Sequence, residues 1–327
     1  MNRRTVMFAL VAAGALGVLR GVAASDAART ARIGFVSTAN PKRNPQLEAF
    51  REGLRDLGYV EGKNIAIDYR WAQGTLDARA DVARELVQQG VDVIVAWGTP
   101  ATAAVQKATS SVPIVMVAVA DPVGSGFVRS LARPGGNITG ASNAMVDVGG
   151  KWVELMMQLV PAVNTIAILR NPANGGSAAW TREAEQAARS YGVRALVLDA
   201  ASAEEIDRAF DAMRREGAGA LIITGDPFFA GQGERLAERA RGNRLPSSFV
   251  ASFYPEAGGL LSYGMDVIAM FRRAASFVDR ILKGAAPADL PVEQPTVFQL
   301  VINLETAEAI GIEVPQSVLL RADRIIR

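Results

Sequence analysis

The chain has 327 residues, half of them hydrophobic, with 35 basic and 33 acidic side chains. Histidine and cysteine are both absent, which excludes disulfides, thiolate nucleophiles, Cys/His zinc sites and Ser-His-Asp chemistry. Any acid–base catalyst would have to be built from carboxylates, Lys or Tyr, and the length suffices for two ordinary domains with their own cores.

The first 24 residues differ from the rest. Arg3 and Arg4 open the chain, an apolar run covers 6–19, and Val22, Ala23 and Ala24 supply the small residues a signal peptidase needs. Cleavage is expected before Ser25. The run is short for a membrane span and is closed by Arg20, so a removed leader is expected rather than an anchor. The paired arginines also fit the twin-arginine route, although Asn2 and Val6 match that pattern poorly. The expected destination is the periplasm, by the Sec or the twin-arginine route. The leader holds three Arg and no acid, so the remainder counts 32 basic against 33 acidic residues. The full-chain pI of about 9.0 is therefore no argument for nucleic acid.

From residue 31 onward, Val- and Ile-rich runs alternate with amphipathic stretches. Strands are expected at 33–36, 65–67, 91–97 and 114–119, and helices at 46–57, 77–89 and 101–108. After Pro161 the plan restarts, with strands at 166–169, 195–198 and 221–223 and helices at 178–190, 204–215 and 234–241. Such alternation predicts a parallel sheet covered on both faces. The halves share punctuation: Asn40-Pro41 and Asn171-Pro172 lie 131 residues apart, and Gly98-Thr99-Pro100 and Gly225-Asp226-Pro227 lie 127 apart. The expected fold class is α/β, two doubly wound parallel-sheet lobes of one topology joined by multiple hinge crossings. A helix at 265–283 and strands at 298–302 and 318–320 complete the two sheets. Crossings are expected near 142–148, 252–259 and 290–295. Lobe one then comprises 25–142 plus about 259–289, and lobe two 143–258 plus about 290–327.

In open α/β sheets ligands bind outside the carboxyl ends of the strands. Those ends carry Ser37, Thr38 and Asn40 after the first strand, Thr99 after the third and Asp121 after the fourth, with Asn143 at the first crossing. In the second half Asn171, Asn174 and Asp226 occupy similar places. Thr99 suits an N-cap and Pro100 the first helical position, so free N–H groups there would meet a ligand carboxylate or phosphate. Asp121 and Asp226 are candidate acceptors for an ammonium group or for hydroxyls, although Asp before Pro also starts turns. Phe228 and Tyr254 are candidates for an aromatic wall, and Trp97 is expected in the core. The run Pro134-Gly135-Gly136-Asn137 lacks the spacing of a nucleotide fingerprint, and no cofactor or metal is expected.

Several segments together resemble the ABC-transporter substrate-binding family related to tryptophan- and phenylalanine-binding members. They are Asp121-Pro122-Val123-Gly124-Ser125-Gly126-Phe127, the stretch 132–140, Gly98-Thr99-Pro100-Ala101, 256–264, and the tail at 301–304 and 319–323. The resemblance implies a type I periplasmic-binding-protein fold with three interlobe crossings. It also implies a small-molecule ligand, an aromatic amino acid or other carboxylate, and a membrane permease and ATPase as partners. Thr38, Thr99 and Asp121 lie in matching segments and carry over as contacts. Two other readings share the architecture: a periplasmic sensory subunit, and a hydrolase working with two carboxylates across the cleft.

Overall fold

The computed structural model describes residues 30–39, 44–143, 148–294 and 297–327. The expected leader and Asn40 lie outside the described residues. In the first half, β1 (Ala31–Ser37), α1 (Pro45–Asp56), β2 (Ile65–Trp71), α2 (Leu76–Gln88), β3 (Val93–Trp97), α3 (Gly98–Ala108), β4 (Ile114–Val119) and β5 (Ile138–Ser142) follow one another. The second half runs through α4 (Val148–Leu159), β6 (Thr165–Arg170), α5 (Ser177–Ser190), β7 (Arg194–Asp199), α6 (Ala203–Arg215), β8 (Ala220–Ile223), α7 (Pro227–Gly231), α8 (Gly233–Gly242), β9 (Ser247–Phe249), α9 (Phe253–Glu256) and β10 (Leu261–Met265). It is followed by α10 (Val267–Leu282), β11 (Phe298–Asn303), α11 (Leu304–Ile310), α12 (Gln316–Leu319) and β12 (Arg324–Ile326).

Two sheets result, with orders β2-β1-β3-β4-β5 and β12-β11-β10-β9-β8-β6-β7. All pairs are parallel except β10–β11. The two-lobed α/β expectation is met. Successive side chains point to opposite faces and both faces are covered, so the central strands are apolar throughout. Ile33, Phe35, Val93, Val95, Val115 and Val117 face one side of the first sheet, and Val36, Ile94, Ala96, Ile114 and Met116 the other.

The return of α10 completes the first lobe. Asp266 caps it, its carboxylate accepting the Ala269 N–H at 2.9 Å. The helix packs on α1 so closely that a Cβ at Gly53 would lie 2.5 Å from the Arg272 carbonyl oxygen. Arg272 also reaches Asp56 at 2.6 Å, and Phe271 joins Phe35 and Phe50 in the core. The third crossing then runs along the β5 edge, with Ser142 N–H donating to the Glu293 carbonyl and Glu293 N–H to that of Gly140, both at 2.9 Å.

Three sequence expectations differ from this arrangement. Leu261–Met265 pairs with β9 and β11 in the second sheet, so the middle crossing falls at Asp266, beyond the expected 252–259. Residues 261–265 therefore lie with the second sheet, where the sequence places them in lobe one. Val318 is buried in the short helix α12, and the edge strand is Arg324–Ile326. Thr99 is not an N-cap: α3 begins at Gly98, directly after Trp97, with no side chain capping it.

Candidate functional site

A cavity lies between the carboxyl edges of the two sheets. From the first lobe and the return into it come Trp97, Gly98, Thr99, Ala118, Asn143 and Val267; the second lobe supplies Asn174, Trp180, Gly225, Asp226, Pro227, Ala230, Val250, Ala251, Phe253 and Tyr254. The lobes touch around it. A Cβ at Gly98 would lie 2.7 Å from Pro227 Cγ, and one at Gly176 would lie 2.8 Å from Ala120 Cβ and 3.1 Å from Thr99 Oγ1.

Asp226 is the charged centre of the wall. It caps α7 and is 6 % exposed. Asn171 Nδ2 donates to its Oδ1 at 3.0 Å, Asn174 Nδ2 to its Oδ2 at 2.9 Å, and the Phe228 N–H to Oδ1 at 2.8 Å. Burial raises its carboxyl above the ordinary value, and these hydrogen bonds work against that rise. Beside it, Tyr254 stacks on Phe249 with centroids 4.6 Å apart. Burial, and then the Asp226 charge, push its phenol well above 10.

Opposite Asp226, α3 opens toward the cavity without a cap. Pro100 has no N–H, and the N–H groups of Gly98 and Thr99 precede the first intrahelical bond. An anion there is stabilised by the helix dipole. Gly98 takes φ +80 to make this turn, and Ala118 at the β4 bulge takes φ +57, rare for alanine. Several buried polar atoms at the lobe-one edge have no hydrogen-bond partner among the described residues: Thr38 Oγ1, Asn143 Oδ1 and Arg79 Nε. Buried atoms of this kind are normally paired, and all three follow the carboxyl ends of strands of the first sheet.

The sequence candidates separate into groups. Thr99, Asn143, Asp226 and Tyr254 meet at the cavity. Asn171 stands behind it and orients Asp226. Thr38 is buried at the same edge, whereas Ser37 spends its hydroxyl on the Ala39 N–H at 3.0 Å. Asp121 is exposed and accepts the Gly124 N–H at 2.7 Å, a turn role away from the cavity wall. Phe228 packs on Phe229, outside the lining. Trp97, expected in the core, contributes to the cavity wall while packing on Phe271. Nothing in the sequence singles out Trp180 or Arg79; an arginine in the first turn of an amphipathic helix has the pattern of a solvated face. Among the described residues no group of three or more acidic side chains gathers as a metal cage would.

Residues 34–326 match the family described as ABC transporter substrate binding protein. The chain belongs to that family. A tyrosine-binding protein of Clostridioides difficile is 26% identical over 329 residues, covering 96% of this chain and 94% of the relative. Among solved structures, a conserved domain protein from Vibrio cholerae superposes with a TM-score of 0.81 at 31% identity, covering 91% of this chain and all of the other. A Streptococcus ABC domain in complex with L-Trp gives a TM-score of 0.80 at 29% identity, with the same coverage of both chains. The type I periplasmic-binding-protein fold and the substrate-binding family thus stand as the sequence resemblance implies, and members of this family bind solutes rather than transform them.

Proposed function

We propose that this chain is the exported receptor of an ABC importer, closing on an aromatic amino acid or other small carboxylate and delivering it to a membrane permease and its ATPase. The observation that carries the reading is the opposition of Asp226 to the uncapped start of α3 across the cavity. A carboxylate on one wall and free N–H groups on the other match the two charged ends of an amino-acid zwitterion. Trp97, Trp180, Phe253 and Tyr254 supply apolar surface for its side chain. The names of the tyrosine-binding and L-Trp-bound relatives support the same class. The leader at residues 1–24 supports export to the periplasm.

The test is a thermal-shift screen of residues 25–327 against the amino acids, aromatic acids and nucleosides, followed by calorimetry on hits. One site per chain and a raised melting temperature are expected for an amino acid. A response to neutral sugars alone would overturn the ligand class, and consumption of a hit on incubation would overturn the receptor reading. Deleting the gene should abolish uptake of the ligand, and the periplasmic protein should begin at Ser25.

A further inference from the structure

Arg79 sits in the first turn of α2, after the Thr75 cap, at the carboxyl edge of the first sheet. It belongs to the buried face of that helix with Ala80, Ala83 and Leu86, and is only 9 % exposed. The acids nearest in sequence are already committed elsewhere, Asp77 to Lys107 and Asp81 to Arg84, on the exposed side. Among the described residues no hydrogen bond or ion pair satisfies the guanidinium, and its Nε is buried without a partner. A guanidinium does not lose its charge. Holding that Nε from water without a partner is costly, so a partner that satisfies it stabilises the folded protein.

Two further groups indicate the chemistry of that partner. Thr38, at the end of the strand beside β2, has a buried hydroxyl that is likewise unpaired. Across the cleft, Asp226 acts on Arg79 through its charge, partly offsetting the effect of burial on the guanidinium. The two make no ion pair, and Asp226 accepts instead from Asn171, Asn174 and the α7 backbone. A cation on one lobe and a hydrogen-bonded anion on the other thus stand without a direct ion pair, and a molecule with both charges would complement both.

We propose that Arg79 is a ligand-binding residue that takes the carboxylate of the solute on the lobe-one side of the cleft, with the Thr38 hydroxyl at the same sheet edge. The assignment rests on the reading of the cleft as an amino-acid site and names a group that reading does not require. It makes the receptor selective for acids over the corresponding amines, since an amine leaves the buried guanidinium unpaired.

The test compares L-tyrosine and L-tryptophan with tyramine and tryptamine on the wild-type protein, Arg79→Met and Arg79→Lys. The wild type should prefer the acids by about 100-fold, the range of a charged hydrogen-bonded pair. Arg79→Met should lose that preference with amine affinity unchanged, and Arg79→Lys should keep part of it. Equal losses for acid and amine, or none, overturn the assignment. A second arm needs no amino acid: sodium acetate, against sodium chloride at equal ionic strength, should raise the melting temperature of the wild type and of Arg79→Lys but not of Arg79→Met. If no amino acid binds the wild type but acetate acts through Arg79, the amino-acid reading fails and the anion site stands. If acetate acts equally on all three proteins, Arg79 is not the anion site.

Discussion

Gly98 of the first lobe and Pro227 of the second approach until a Cβ on the glycine would lie 2.7 Å from the proline Cγ. Each begins a helix at the carboxyl edge of its sheet, so the contact exists only when the lobes are together. Gly98→Ala acts twice. The left-handed backbone costs alanine about 1–2 kcal/mol in any state of the lobes, which a urea melt reads. The clash penalises only closure, so ligand affinity should fall roughly 10-fold beyond that, the equivalent of about 1.4 kcal/mol. Scattering with saturating ligand should show a less compact particle than wild type; equal compactness and affinity would remove Gly98 from the closing contact.

Asp226 gives a pH dependence with a defined sign. Burial raises its carboxyl in the folded protein, so the folded state holds the proton to a higher pH than the unfolded chain. Between the unfolded value and the raised folded value, stability therefore declines as pH rises. Arg79 and Tyr254 are the other titratable groups coupled to it; neither changes charge in that window. The melting temperature of ligand-free Asp226→Asn relative to wild type should rise from acid toward neutral pH. A difference that is flat, or falls, would contradict a raised carboxyl. Ligand affinity at neutral pH should drop by about 10- to 100-fold in the same variant, as for loss of a charged partner.

Gly53 separates stability from binding. An added methyl would meet the Arg272 carbonyl oxygen at 2.5 Å and Ala275 Cβ at 2.9 Å, so α1 and α10 must part. Gly53→Ala should lose about 1–3 kcal/mol in chemical denaturation, the usual cost of overpacking. Affinity of the folded fraction should stay within a factor of about two, since none of Gly53, Arg272 and Ala275 lines the cavity.

Much of this architecture is legible in the sequence because buried parallel strands announce themselves. The apolar runs of β3, β4, β6 and β8 have few other interpretations. Gly98-Thr99-Pro100 and Gly225-Asp226-Pro227 mark the two strand ends that meet across the cleft. The strand Leu261–Met265 escaped because Ser262 and Gly264 interrupt its apolar character; a Cβ at Gly264 would lie 1.9 Å from the Val250 carbonyl, so the position is closed to other residues. The edge strand Arg324–Ile326 has three residues, partly exposed, too short for any period.

The site was less legible. Asp121 and Asp226 look alike in sequence, each an Asp-Pro after a strand. The chain around them decides: Asp121 closes an exposed turn onto Gly124, whereas two asparagines from the neighbouring loop hold Asp226 inside. Arg79 carries no local signal at all. Its buried, unpartnered Nε becomes visible only once α2 is laid on the sheet.

The return of α10 to α1 has a consequence for how the chain comes into being. Phe35 packs on Phe50 and is covered by Phe271, more than 200 residues later in the chain. Until that helix has been synthesised, the first sheet lacks the cover of one apolar face, and no local rearrangement supplies it. Contacts this distant in sequence slow folding. The nascent protein therefore spends most of its synthesis without a complete first lobe, and its native state is assembled only after nearly the whole polypeptide exists.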